Sequence, residues 1–377
     1  MTDLERFFDC MEYRASDRRP NHELGVWPQT RDRWESEAPD AVAGFTWDWF
    51  VAEPALGLDR REYINVDYGF IPPFEEEVLA EDERYVTRRN QKGVVTRALK
   101  EGSVGRARMC MDEYIDFPVK RPEDFRPLKK RLIAAAEARY PSDLTTQIEA
   151  WRTRDFPLVL GRNCAINGFY WRAREWMGTE NLSLAWYDYP ALMHEMMEFF
   201  ADFIMKTSQP VLEKVRVDCV VFNEDLSMKG GPLLGPDTYR QFILPHLKRL
   251  VTFFRKCGTR CVAVDTDGNP TVLIPLFMEA DVDTIWPIER ASEVSPMEWR
   301  RRFGRGLRLW GGVDKRVLAR GPAAIRHHLA ELIPLVEEGG FIPTVDHTVP
   351  PDVSWDNFRC YMDLKRSLLA GQFSVLR

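Results

Sequence analysis

The sequence predicts an α/β fold, a (β/α)8 TIM barrel with an N-terminal helical and β-hairpin extension. From residue 156 onward, short apolar runs alternate with amphipathic stretches. Buried strands that alternate with helices in this way form parallel βαβ units. Six such runs follow residue 150, and no GxGxxG turn follows the first of them. This favours a barrel over a nucleotide-binding doubly wound sheet.

The elements follow in order within one predicted domain, residues 1–377. Residues 1–120 are expected to form an N-terminal extension and cap, and residues 121–377 the main barrel. Residues 1–60 suggest short helices, residues 61–75 look extended, and residues 93–119 alternate like antiparallel strands around Glu101 and Gly102. The barrel runs are FPLVLGRN (156–163), DCVVFNED (218–225), RCVAVDTDG (260–268), DTIWPIE (283–289), LRLWGGVD (307–314) and GFIPTVDH (340–347).

Composition excludes several classes of protein. The formal net charge is -6 and the basic runs are short, so no nucleic-acid partner is indicated. No apolar run approaches the ~18 residues that would span a membrane, and MTDLERFFDCMEYR contains no apolar signal segment. The seven cysteines include no CxxC pair, which is typical of reduced thiols. We therefore expect a cytoplasmic enzyme.

The predicted strands end in an unusual number of acids. In barrels of this kind the chemistry lies at the C-terminal ends of the strands. The residues at these ends are Arg162, Asn163, Asn223, Glu224, Asp225, Asp265, Asp267, Trp286, Glu289, Asp314, Asp346 and His347. Converging carboxylates must share protons, be solvated or hold a cation.

Each of these acids also has a structural interpretation. Strand-end aspartates most often cap helices or close turns, and Asp314 precedes a predicted helix near Lys315. A single histidine such as His347 is more often structural. Convergence on one cavity favours a functional role for Asp265 and His347. For Asp267 and Glu224 the functional and structural interpretations are about equally supported.

The segments FNEDLSMKGGPLLGPDTYRQFILPHLKRL, VDTDGNPTVLIPLFMEADVDTIWPIE, LRLWGGVDKRVL and GGFIPTVDHTVPPDV resemble the uroporphyrinogen decarboxylase-like superfamily. This superfamily includes the decarboxylase and corrinoid-linked methyltransferases. The resemblance covers roughly residues 156–370. It implies a TIM barrel, often dimeric, with a deep site at the strand ends, so a homodimer is expected.

The resemblance favours the methyltransferase branch. True decarboxylases carry an arginine-rich segment ending in AGR, whereas residues 18–34 read RRPNHELGVWPQTRDRW. Zinc-dependent methyltransferases bind metal at positions that here hold Asp265, Asp267 and His347. By that resemblance these three residues are predicted to bind a divalent metal, zinc or a harder ion.

The leading hypothesis is a methyltransferase that moves a methyl group from a small, O-methylated donor to a corrinoid carried by a separate partner protein. Glu224 or Asp225 would supply the proton for the leaving oxygen. The remaining candidate substrate-binding residues are Asn223, Trp286, Tyr68, Phe169, Arg162 and Asp346. Two alternatives stay open: a decarboxylase in which Arg162 or Arg172 holds a carboxylate, and a non-catalytic barrel that binds a cationic ligand.

Overall fold

The computed structural model describes residues 1–101, 103–104, 107–108, 111–161 and 165–376. Its strands are, in chain order, β1 (Glu62–Ile64), β2 (Glu77–Glu81), β3 (Tyr85–Arg89), β4 (Val95–Leu99), β5 (Ser103–Val104), β6 (Ala107–Arg108), β7 (Glu113–Asp116), β8 (Leu158–Leu160), β9 (Ile166–Asn167), β10 (Cys219–Asn223), β11 (Ser227–Met228), β12 (Gly231–Pro232), β13 (Cys261–Asp265), β14 (Thr284–Trp286), β15 (Arg308–Trp310) and β16 (Phe341–Ile342).

The α-helices are α1 (Asp3–Met11), α2 (Pro28–Glu37), α3 (Pro39–Val42), α4 (Pro122–Lys129), α5 (Leu144–Trp151), α6 (Phe169–Met177), α7 (Thr179–Asp188), α8 (Pro190–Leu212), α9 (Pro236–Phe242), α10 (Leu244–Lys256), α11 (Ile274–Glu279), α12 (Pro296–Phe303), α13 (Lys315–Leu318), α14 (Pro322–Glu331), α15 (Ile333–Glu338) and α16 (Trp355–Leu369). No helix in the described ranges combines the length and apolar character needed to cross a membrane.

The main sheet is parallel and follows the hydrogen-bonded order β1-β8-β10-β13-β14-β15-β16, with β9 added beside β10. All six strand runs predicted between residues 156 and 347 contain a strand of this sheet. These sequence runs are short and apolar because both faces of the sheet are buried, as expected for parallel strands covered by helices.

Alternate side chains of each strand belong to two different hydrophobic clusters. The inner cluster fills the barrel, and the outer cluster packs the barrel against the surrounding helices. The strand residues of the inner cluster are Val159, Cys219, Val221, Cys261, Ala263, Trp286, Trp310 and Ile342. Their neighbours Val220, Phe222, Val262 and Val264 belong to the outer cluster. Odd-numbered residues of β10 and β13 therefore face the barrel interior.

Helix α1 closes the N-terminal end of the barrel. Its capping box is formed by Thr2 and Glu5, and it inserts Phe7 and Phe8 into the inner cluster. The amide of Gly340, beside β16, donates to the carbonyl of Cys10 at 2.7 Å. The first helix is thus part of the barrel core.

An extended N-terminal segment, residues 21–27, fills the gap between β1 and β16. The amide of Asp59 donates to the Asn21 carbonyl at 2.9 Å, next to β1. On the other side, the amide of Val345 donates to Glu23 Oε2 at 3.0 Å. The buried Lys365 ammonium lies 2.6 Å from Glu23 Oε1. This closing segment links the first and last strands of the barrel, a feature that was not predicted from the sequence.

A four-stranded antiparallel sheet, β2-β3-β4-β7, lies outside the barrel. The predicted antiparallel pairing within residues 93–119 is confirmed for β4 and β7. Strands β2 and β3 were not predicted, and Gly102 lies outside the described residues. Strand β1 belongs to the barrel although it falls within the segment 1–120 that the sequence assigns to the extension.

Candidate functional site

Three side chains form a row across adjacent strands at the C-terminal end of the barrel. Asn223 of β10 is the register partner of Asp265 of β13, and Asp265 is the register partner of Trp286 of β14. By the alternation described above, all three face the barrel interior. The Asn223 Oδ1 and Trp286 Nε1 atoms are buried without a hydrogen-bonding partner among the described residues. The row therefore offers unused polar groups to a ligand.

Asp265 is the central acid of this row. Burial raises the pKa of its carboxyl well above the usual range, and the charges of Asp267 and Asp225 raise it further. Within the described part of the chain, its carboxyl group makes no hydrogen bond. The pKa of Asp265 is therefore raised while its carboxyl group remains unbonded by the described residues.

Asp267 extends the acid group toward solvent. Burial, followed by the charge of Glu289, raises the pKa of Asp267 to about 7. The next residue, Gly268, has φ of +78°, and a Cβ there would lie 2.4 Å from the Ser227 carbonyl oxygen. Glycine thus permits the tight turn that places Asp267 at the mouth, by which we mean the open C-terminal end of the barrel.

His347 lies beside Asp267. Burial lowers the pKa of the imidazole, and the charge of Lys315 lowers it further. Its Nδ1 is hydrogen-bonded to Thr348 Oγ1 at 2.8 Å, while its Nε2 lies 3.7 Å from Asp267 Oδ2. The second distance is longer than a hydrogen bond.

The predicted metal ligands do not fit a three-ligand metal centre as the structure places them. Across the described ranges, no three histidine, cysteine or acidic side chains are grouped so that they could hold a metal ion. His347 Nε2 lies 3.7 Å from Asp267 Oδ2, so two of the three predicted ligands are close to each other.

Glu224 and Asp346 hold backbone in place. Both carboxylates are fully buried. The Glu224 oxygens accept from the amides of Phe169 at 3.1 Å and Tyr170 at 2.7 Å, at the start of α6. Burial nevertheless raises the pKa of Glu224 to about 7. Gly168 makes room for this carboxylate, because a Cβ there would lie 2.3 Å from Glu224 Cδ.

Asp346 has the same kind of role on the other side of the mouth. Its two oxygens accept from the amides of Lys315 at 3.0 Å and Arg290 at 2.7 Å. Burial raises the pKa of Asp346 to about 6. Asp314 caps α13 by accepting from the Arg316 amide at 2.9 Å, in agreement with the structural interpretation of that residue.

Asp225 lies at the mouth in an uncommon backbone conformation, with φ of +36°. Its carboxylate accepts from Arg174 of α6 at 2.6 Å. On the opposite side, Lys315 Nζ lies 3.1 Å from Glu289 Oε1. Each of these two cations is thus matched with a carboxylate, which leaves the mouth acidic.

The aromatic residues predicted to contact the substrate do not all lie near the acids. Trp286 lies in the barrel interior, with its ring stacked on Trp310 at 5.4 Å. Tyr68 and Phe169 belong to the outer cluster: the Tyr68 hydroxyl pairs with Ser208 at 2.8 Å, and the Phe169 ring packs against Phe200. The structure therefore does not bring these two side chains to Asp265. Arg162 lies outside the described residues.

Two cavities open beside Asp267 and Asp225. The first, of about 460 Å³, is lined by Asp267, Glu289, Lys315, His347 and Trp27, together with Gln29, Pro350 and Pro351. The second, of about 440 Å³, reaches Asp225 and lies between α6 and the four-stranded sheet. Both volumes suit a small molecule. Asp225 and Asp267, which line these cavities, both raise the pKa of Asp265 through their charges.

The family model of uroporphyrinogen decarboxylase (URO-D) matches residues 173–368, just over half of the chain. The chain belongs to the uroporphyrinogen decarboxylase family. Its similarity to individual members is distant. The uroporphyrinogen decarboxylase of Nocardia farcinica is 27% identical over 169 residues, which are 43% of this chain and 45% of that protein. The corresponding enzyme of Crocosphaera subtropica is 21% identical over 182 residues, 48% of each.

The chain of this URO-D family member spans about half the length of the curated relatives it matches. A solved structure described as a methyltransferase from Methanosarcina mazei is similar over 97% of this chain and 99% of that one, with a TM-score of 0.59 and 12% identity. At this identity the similarity shows the fold alone, and it confirms the predicted barrel class. The family model confirms the predicted superfamily.

Three residues of the mouth were not predicted from the sequence. Lys315 follows the GGVD run and was taken only as the start of a helix, although its ammonium reaches Glu289. Arg174 lies inside α6, and its position opposite Asp225 depends on the tertiary fold. Trp27, whose ring lies 6.3 Å from that of His347, belongs to the closing segment, which carried no strand pattern.

Proposed function

We propose that this URO-D family member is a methyltransferase in which Asp265, as a neutral carboxylic acid, protonates the oxygen that leaves a small O-methylated donor. One observation carries the proposal. The Asp265 side chain faces the barrel interior, is influenced by the charges of Asp267 and Asp225, and has no hydrogen-bonding partner among the described residues. A neutral acid in that position can assist the departure of an alkoxide or phenoxide, which otherwise leaves poorly.

In the proposed step, the bond between the methyl carbon and the donor oxygen breaks, its electron pair stays on the oxygen, and the Asp265 proton moves to that oxygen. The corrinoid of a separate partner protein, which the family resemblance implies, would supply the nucleophile for the methyl group. Asp265 then recovers a proton from water. Asn223 and Trp286, which flank Asp265 in the row, would orient the donor.

The electrostatics favour this function over decarboxylation of a polycarboxylate. In the described part of the mouth, Lys315 and Arg174 are each paired with a carboxylate. Arg172, the alternative carboxylate-binding residue, is buried and lies 2.5 Å from Glu175. A substrate with several carboxylates would therefore meet uncompensated acids rather than free cations.

The test is methyl transfer from a panel of methoxylated compounds to free cob(I)alamin, run beside an assay for CO₂ release from uroporphyrinogen and small carboxylic acids. We expect methylcobalamin to form with the unaltered protein and to be lost in Asp265→Asn. The control is Asp188→Asn, which changes an exposed acid at the end of α7. CO₂ release without methyl transfer would establish the decarboxylase instead. Ligand binding without either reaction would establish a binding protein.

Metal analysis of the purified protein completes this test. The acid mechanism predicts that methyl transfer persists after treatment with a chelator. A stoichiometric divalent ion that disappears in both Asp265→Ala and His347→Ala, together with loss of activity after chelation, would overturn it in favour of metal-assisted transfer.

A further inference from the structure

The cavity between α6 and the four-stranded sheet has aromatic walls. Tyr114 and Phe117 lie on the sheet side, with their rings stacked 6.1 Å apart at an angle of 11°, and Trp171 lies on the helix side. The rim carries Met111, which is 81% exposed, while Tyr114 is 56% exposed. Large apolar side chains left uncovered around a cavity are typical of a binding site.

We propose that this aromatic cavity binds the ring of the methyl donor, so that the substrate class is a neutral aromatic methyl ether. The inference rests on the proposed methyl transfer and goes beyond it by naming the substrate class. Aromatic side chains favour a planar ring, which can stack on one wall and meet the edge of another. A volume of about 440 Å³ accommodates a single substituted ring.

The backbone fixes the distance between the two walls. Gly178, directly after α6, has φ of +75°, and a Cβ there would lie 2.3 Å from the Phe117 ring. The end of α6 is therefore in direct contact with the segment that carries the sheet-side aromatics. The walls belong to one packed unit rather than to two independent surfaces.

The charges around the cavity favour a neutral ring over a benzoate. Arg174 pairs with Asp225 and also lies 4.7 Å above the Trp171 ring. Lys92 is paired with Glu175. Since both cations that line the described cavity have a carboxylate partner, an added carboxylate would find no unmatched positive charge.

The cavity leads to the reacting group. Asp225 lines it, and the Asp225 amide donates to the carbonyl oxygen of Asp265 at 3.4 Å. A ring held against Trp171 would present its methoxy substituent toward Asp225, whose backbone contacts the strand end that carries Asp265.

Calorimetric titration with 2-methoxyphenol tests this inference without requiring turnover. We expect measurable binding to the unaltered protein and at least a tenfold weaker affinity for Trp171→Leu and Tyr114→Leu. The matched control is Tyr187→Leu, which changes a 75% exposed aromatic residue on α7 and should leave the affinity within twofold. Equal affinity in Trp171→Leu would overturn the proposed subsite.

A kinetic comparison separates this inference from the methyltransferase proposal. Trp171→Leu should raise KM for 2-methoxyphenol at least tenfold and leave the rate with methanol as donor nearly unchanged. If 2-methoxyphenol neither binds nor reacts while methanol is a good donor, the aromatic subsite is refuted and the methyltransferase stands. If no methoxylated donor reacts but 2-methoxyphenol binds in a Trp171-dependent manner, the subsite stands and the reaction is refuted.

Discussion

Two groups of acids at the strand ends of this barrel are used in different ways. The backbone-bound acids, Glu224 and Asp346, each accept two main-chain amides and are fully buried. The mouth acids, Asp265 and Asp267, accept no hydrogen bond through their carboxyl groups within the ranges described, and both remain partly exposed. The difference shows that acids at the strand ends are distinguished by whether main-chain amides already occupy their carboxyl groups.

The pKa values alone do not distinguish these groups. Burial raises the pKa of Glu224 to about 7, as it does for Asp267. What separates the two carboxyls is the geometry, because the proton of Glu224 is enclosed between β10 and α6, whereas Asp267 lines a cavity. Perturbed acids therefore indicate a functional site only when a ligand can reach them.

Asp265→Asn should have the largest effect on the reaction. The amide keeps the volume of the side chain but cannot transfer a proton, and loss of a general acid costs roughly 100- to 10,000-fold in rate. Because Asp265 makes no hydrogen bond among the described residues, the melting temperature should stay within a few degrees. Methylcobalamin formation measures the first quantity and calorimetry the second. A variant with full activity would remove Asp265 from the mechanism.

Gly168→Ala should affect the other group of acids through stability. The added Cβ would lie 2.3 Å from Glu224 Cδ, so the carboxylate would have to leave the amides of α6. Leaving two buried amides without partners costs about 2–4 kcal/mol in the free energy of unfolding, which urea titration measures.

The matched control for that substitution is Gly235→Ala. Gly235 also precedes a helix, α9, and has nearly the same φ, -72° against -75° for Gly168. No atom lies within 4 Å of the position a Cβ would take at Gly235. If both variants lost the same stability, the close contact between Gly168 and Glu224 would not be the cause.

The barrel was predictable from the sequence because its buried parallel strands leave continuous apolar runs, as in residues 261–265. The closing segment, residues 21–27, was not predictable, since its contacts are made by single backbone groups and by the side chain of Glu23. Strand β2 also escaped prediction. All five of its residues are exposed, so no apolar alternation marks it.

The position of the acids was predictable, but their roles were not. Strand periodicity places Asp265 and Asp267 on one face, and this follows from the sequence alone. The capping of α6 by Glu224 depends on how the helix after β9 packs against β10, which involves residues 55 positions apart. The same applies to Arg174, whose partner Asp225 is 51 positions away.

The smallest predicted effect concerns the coupling between the two mouth acids. Burial is the main cause of the raised pKa of Asp265, and the charge of Asp267 adds to it. Asp267→Asn removes this charge, so the pKa of Asp265 should fall and the proton donor should be lost at a lower pH. The alkaline limb of the pH–rate profile should therefore shift to lower pH than in the unaltered protein. A limb that stayed in place, or moved to higher pH, would mean that Asp267 does not help to keep Asp265 protonated.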